Sequence, residues 1–219
     1  TKEDLLSWFR AKIQRGFIAI EEMNSYLKKV VGKLLTRHSL NELSAHRYQI
    51  KESIEKKIDE VVDDLTEKRF GELCKKQLLA SHGERFIFGD SISLLQVSPD
   101  NFDKHLYEKA GKMNNEELDL AGKINSLESV LWWFRNPEMS GFYIQGWKKQ
   151  KFYPDFIVKT KNGNYIVLEY KGEHLMGSED SDYKETIGKA WEKLIGKGYC
   201  FKWVEKSNVD NITSEILKK

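Results

Sequence analysis

Proline is scarce in this chain, with three residues in 219 and none before Pro99. Nothing therefore interrupts a helical reading of residues 2 to about 80, which also hold only three glycines. Cysteine is scarcer still. Cys74 and Cys200 are too few for a disulfide framework or a thiolate metal site, so a reducing cytoplasm is the expected setting. No apolar run approaches the ~20 residues that a membrane-crossing helix needs, and no signal peptide is visible. Charge of one sign is missing too: 36 basic residues face 34 acidic ones for a net +2, so any nucleic-acid surface has to be a local patch. No G-x-x-x-x-G-K-[ST] occurs, which excludes ATP hydrolysis through a P-loop. The chain begins at Thr1 rather than Met and is expected to be a piece of a longer or processed protein.

What is present is enough aromatic and aliphatic material for a core: six Trp, nine Tyr, eleven Phe, and 40% hydrophobic residues overall. That suits one or two domains. Leu5, Leu6, Trp8, Phe9 and Ile13 mark a first amphipathic helix that Gly16 would end, and a second is expected from Phe17 to about Thr36. Ser39 with Glu42 three residues on fits a capping box. The helix it opens would run past Leu65 to Leu79, with Ile50, Ile54, Ile58, Val61, Val62 and Leu65 on one stripe. This region reads as a helical hairpin or bundle, either plainly structural or an arm toward a motor domain.

Ser81-His82-Gly83 breaks the helical pattern. Arg85–Asp90 and Ile92–Leu95 then read as short strand-like pieces. A helix is expected from Asn115 to about Lys123, and Glu117, one turn before Ala121, shares its buried side. The aromatic run Val130–Phe134 favours a strand, with Trp132 and Trp133 on opposite faces. Gly141–Ile144 reads as the next strand. The loop after it carries Lys148, Lys149 and Lys151 beside Trp147, a patch that would suit a phosphate backbone or simply be a solvated loop. A helix capped by Ser181 or Asp182 should span about Tyr183 to Ile195, then a strand, Tyr199–Val204, parallel to an earlier one, then a short polar tail with a helix. Lys184, in that helix's first turn, opposes the helix dipole; it reads as a surface lysine or as a cation serving a site. His82, His105 and His174 are scattered and are expected to be ordinary polar histidines.

The stretch Tyr153–Gly172 holds the chemistry. Phe156–Val158 and Tyr165–Leu168 are two apolar strands around Lys161-Asn162-Gly163, a hairpin signal because glycine accepts positive φ. A two-residue Asn162-Gly163 loop would set Asp155 opposite Tyr170 and leave Glu169 on the other face. A three-residue loop with a left-handed Gly163 pairs Thr160 with Asn164 and sets Asp155 opposite Glu169, with Lys171 on the same face. The two registers exclude each other, and glycine at the third loop position favours the second. Facing carboxylates repel, and a hard divalent cation such as Mg²⁺ removes the repulsion. Lys171 could then hold or help deprotonate a water. The competing reading is a solvated hairpin face, but charges inside so apolar a strand are seldom without a partner.

Pro154-Asp155 followed by Glu169-Tyr170-Lys171 resembles the PD-(D/E)xK nuclease motif. Met113-Asn114, Glu117 with Ala121, Val130–Asn136, Tyr-Pro-Asp-Phe and Glu-Tyr-Lys-Gly follow in an order that resembles the C-terminal nuclease domain of type III restriction subunits and related DEAD/DEAH-type helicase proteins. The resemblance covers roughly residues 100 to 205. It implies a third metal carboxylate on the helix before the sheet, matched by Glu117, with Glu128 a second candidate, and a Lys or Gln at the position of Lys184.

The fold class expected is α/β (α+β): a restriction-endonuclease-like mixed sheet flanked by helices over residues 83–219, preceded by a helical domain over 1–82. The function expected is Mg²⁺-dependent hydrolysis of DNA phosphodiesters, with Mn²⁺ able to substitute, in a chain partnered by a helicase/ATPase domain or modification subunit. Asp155, Glu169 and Glu117 would hold the metal, and Lys171 would serve the water. The alternatives are a non-catalytic nucleic-acid or protein-docking module, and an RNA substrate.

Overall fold

The computed structural model describes residues 1–79, 86–172 and 179–218. The expected break at Ser81-His82-Gly83, the expected domain boundary after residue 82, and His174 lie outside the described residues. The chain forms two compact units, Thr1–Lys68 and Arg69–Lys219. Among the described residues there are seven helices and one four-stranded mixed sheet, and no helix long and apolar enough to cross a membrane.

The first unit comprises α1 (Lys2–Lys12), α2 (Ile20–Leu34), α3 (Leu40–Ala45) and most of α4 (Arg47–Lys75). Two of its helix starts, those of α1 and α3, are written in the sequence. Thr1 and Asp4 close one capping box, and Ser39 and Glu42 close the expected second one. Leu5, Leu6, Phe9, Leu27, Val31, Ile54 and Ile58 form its core. The helix expected from Ser39 to Leu79 is in fact two, because the chain leaves helical geometry at His46, whose N–H closes on the Glu42 carbonyl. Val61 and Leu65, expected on the buried stripe, are exposed.

The second unit is built on β1 (Val130–Arg135), β2 (Phe156–Thr160), β3 (Tyr165–Lys171) and β4 (Tyr199–Glu205), in that spatial order. The first three run antiparallel, and β4 lies parallel to β3. A parallel neighbour needs a crossover, and α6 (Glu179–Ile195) lies within it, starting before the expected Tyr183. Strand alternation gives the sheet two buried faces. Trp133, Phe156, Val158, Ile166 and Leu168 pack with residues of α5 (Asn115–Ser126) and α7 (Val209–Leu217). Val167 and Phe201 face Tyr183, Ile187 and Trp191 of α6. Gly188 allows that approach, since a Cβ there would lie 2.4 Å from the Phe201 ring.

Three expected strand pieces, Arg85–Asp90, Ile92–Leu95 and Gly141–Ile144, form no strand among the described residues. Residues 86–95 are irregular; Phe86 and Phe88 act instead as aromatic packing, Phe86 against Phe142 and Tyr165, and Phe88 against Trp132 and Phe134. Gly141–Ile144 contributes one antiparallel bridge, Ile144 to Phe152, while the Phe142 N–H and carbonyl serve a side-chain latch described below.

Candidate active site

The hairpin between β2 and β3 takes the three-residue loop. Gly163 has φ +89°, the Thr160 N–H donates to the Asn164 carbonyl at 2.9 Å, and Phe156 pairs with Leu168. The pairing ends there, and Asp155, in the bend just before β2, lies close enough to Glu169 for the two carboxyls to interact. Glu169 is only 7% exposed and Lys171, two residues along on the same face, 8%.

Asp155 is held from several directions. The Tyr170 N–H donates to its Oδ2 at 2.8 Å, and Arg135 Nη1 donates to its Oδ1 and to its carbonyl, each at 2.8 Å. The Asn136 N–H also reaches that carbonyl, at 2.9 Å. The Asn136 side chain, itself buried, donates to the carbonyls of Phe142 and Pro154 and accepts the Phe142 N–H. A Cβ on Gly141 would come within 2.2 Å of Asn136 Oδ1, so glycine is required for this latch.

Glu117 lies in the first turn of α5. Its carboxylate accepts the Asn114 N–H at 2.9 Å while Asn114 Oδ1 accepts the Glu117 N–H, a capping box. Its other oxygen accepts from Arg135 Nη2 at 3.0 Å. One guanidinium thus bridges Glu117 and Asp155, all three side chains being mostly buried, with the planar fork that suits two carboxylates at once. The Arg135 guanidinium carbon sits 5.2 Å from the Phe156 ring centroid.

Glu169 has less. Oε1 meets Lys184 Nζ of α6 at 3.4 Å, and the buried Oε2 has no hydrogen-bond partner. Burial, and then the neighbouring Asp155, push the Glu169 carboxyl well above its ordinary range, against the pull of Lys184. Burial also raises Glu117, with Asp155 adding to the effect and Arg135 opposing it. Asp155 therefore lies close enough to both glutamates to disfavour their charge. For Lys184, burial works against the ammonium, but Glu169 and Asp180 outweigh it and the group is held above its usual range.

Other sequence candidates are placed as follows. Lys148 Nζ lies over the Tyr183 ring at 4.8 Å, next in sequence to Lys184, and Lys151 Nζ over Tyr143 at 3.8 Å. Lys149 is exposed, as is Glu128 in the turn between α5 and β1. Among the described residues no group of three or more His, Cys, Asp or Glu side chains is arranged to hold a metal ion.

Arg135, Asn136 and His105 were not picked out by sequence reasoning. His105, expected to be an ordinary polar residue, accepts the Arg135 N–H on Nε2 at 3.1 Å while Nδ1 bonds the Tyr107 carbonyl. Burial lowers its pKa, the Tyr107 bond opposing, which suits the neutral ring that this accepting nitrogen requires. Arg135 did carry a signal: it shares the core face of β1 with Trp133, where a charge needs a partner. The chain matches no family model, no curated protein and no solved structure.

Proposed function

We propose that the second unit is a nuclease domain of restriction-endonuclease-like fold that hydrolyses DNA phosphodiesters with Mg²⁺ or Mn²⁺, as part of a type III-like restriction or helicase protein. The observation that carries this reading is the buried Glu169 carboxylate, with one oxygen that has no hydrogen-bond partner, close to Asp155. Arg135 and Lys184 each already pair with one of the two carboxylates, and the oxygen donors that remain fit Mg²⁺, which takes one or two carboxylates and keeps several waters.

Asp155 and Glu169 would hold the ion, with Glu117 nearest to joining them as the third carboxylate. When bound, it would polarise the phosphate and acidify a water. The chain's own residues do the rest. Arg135 and the Tyr170 N–H fix the Asp155 carboxylate, Lys184 offsets part of the Glu169 charge, and Lys171 brings an ammonium to the face where charge develops on the phosphate. Lys148, Lys149 and Lys151 would meet the backbone of the nucleic acid, and a helicase or ATPase domain would load it.

The test is cleavage of labelled duplex DNA with Mg²⁺, with chelator as control. Asp155→Ala and Lys171→Ala should each slow cutting by about 10²-fold or more, the usual cost of removing one electrostatic stabiliser. Single-stranded DNA and RNA run in parallel identify the substrate. A second reading, a non-catalytic docking module, is favoured by the Arg135 bridge, which already ties two of the acids to one guanidinium. It prevails if both variants cut as fast as wild type.

A further inference from the structure

We propose that Arg135 is a resident counter-cation that keeps Glu117 out of the metal's coordination, so that Glu117 is a positioning residue and the ion is held by Asp155 and Glu169 alone. This rests on the metal site proposed above and departs from a three-carboxylate site. Each Glu117 oxygen is already committed, one to the Asn114 N–H at 2.9 Å and one to Arg135 at 3.0 Å. Asp155 likewise shows one donor on each oxygen; what sets it apart from Glu117 is its place beside Glu169. Glu169 keeps Oε2 open.

Asp155 keeps anchors besides Arg135, since the Tyr170 and Asn136 N–H groups also hold its carboxylate and its carbonyl. Removing the guanidinium should therefore leave Asp155 in position, delete a positive charge that opposes a dication, and free Glu117 to become a third ligand. The counter-intuitive consequence is tighter metal binding after loss of a buried ion pair.

The experiment is Mn²⁺ calorimetry on the whole chain, without DNA, for wild type, Glu117→Gln, Arg135→Gln, the double variant and Asp155→Asn, each checked for folding by circular dichroism. Arg135→Gln should bind Mn²⁺ at least tenfold more tightly, about 1.4 kcal/mol. Glu117→Gln alone should stay within about threefold of wild type, and adding it to Arg135→Gln should remove most of the gain, the signature of a coupled pair. A tenfold loss in Glu117→Gln would make Glu117 a direct ligand and overturn the proposal, as would unchanged or weaker binding in Arg135→Gln. Should Arg135→Gln not fold, Glu117→Gln still decides. The metal site itself has a separate failure: no Mn²⁺ bound by wild type, or binding untouched by Asp155→Asn.

Discussion

Glu169 is the residue on which the site's energetics turn. Its pKa in the folded chain lies above the unfolded value, so the folded state prefers the protonated form. Its contribution to stability is thus fully present below the unfolded pKa and lost as pH rises through the folded one. Above the folded pKa, the metal-free protein carries this charge at a cost that Lys184 only partly offsets. Glu169→Gln should therefore stabilise the metal-free chain at pH 8 by about 1–3 kcal/mol, the scale of a buried unsatisfied polar group. The gap should close as pH falls toward 4. Thermal melts across that range measure it, and Mg²⁺ should raise the melting temperature of wild type but not of Glu169→Gln. A Glu169→Gln melt below wild type at every pH would mean that the carboxylate is well paired after all.

At the scale of elements, the hairpin was readable and its surroundings were not. Lys161-Asn162-Gly163 fixes the register locally, because a single left-handed glycine selects the loop and the loop sets every cross-strand pair. The partners of Asp155 were hidden because they come from residues 20 positions away on β1 and from β3. Strand patterning likewise failed at Phe86–Leu95, where alternating aromatics plug the surface of the sheet without joining it. Packing between elements gives a test of opposite signs. Gly188→Ala on α6 ought to gain helix propensity, but its methyl would drive into Phe201, so it should lose about 1–3 kcal/mol. Gly122→Ala on α5 meets nothing within 4 Å and should gain about 0.5–1 kcal/mol. Urea midpoints of the two variants decide it, and similar shifts for both would mean that α6 packs more loosely on β4 than described.

For the whole molecule, a net charge of +2 cannot attract DNA by itself, so the attraction has to be local. The loop 148–151 carries three lysines, one of them over Tyr183, beside Lys184 in sequence. Lysine contacts to phosphate release counterions, and each lowers the slope of log K against log salt by about 0.9 on duplex DNA. If all three lysines touch the backbone, replacing Lys148, Lys149 and Lys151 together by alanine should flatten that slope by nearly 3, and weaken binding to all sequences alike. Fluorescence anisotropy from 50 to 200 mM salt, with chelator present to prevent cutting, reads this directly. Lys68→Ala, in the first unit, serves as the control and should leave the slope unchanged. An unchanged slope in the triple variant would assign the loop to solvent. The phosphate contacts would then have to come from Lys184, which pairs with Glu169, and from Lys171, two residues along the strand from it.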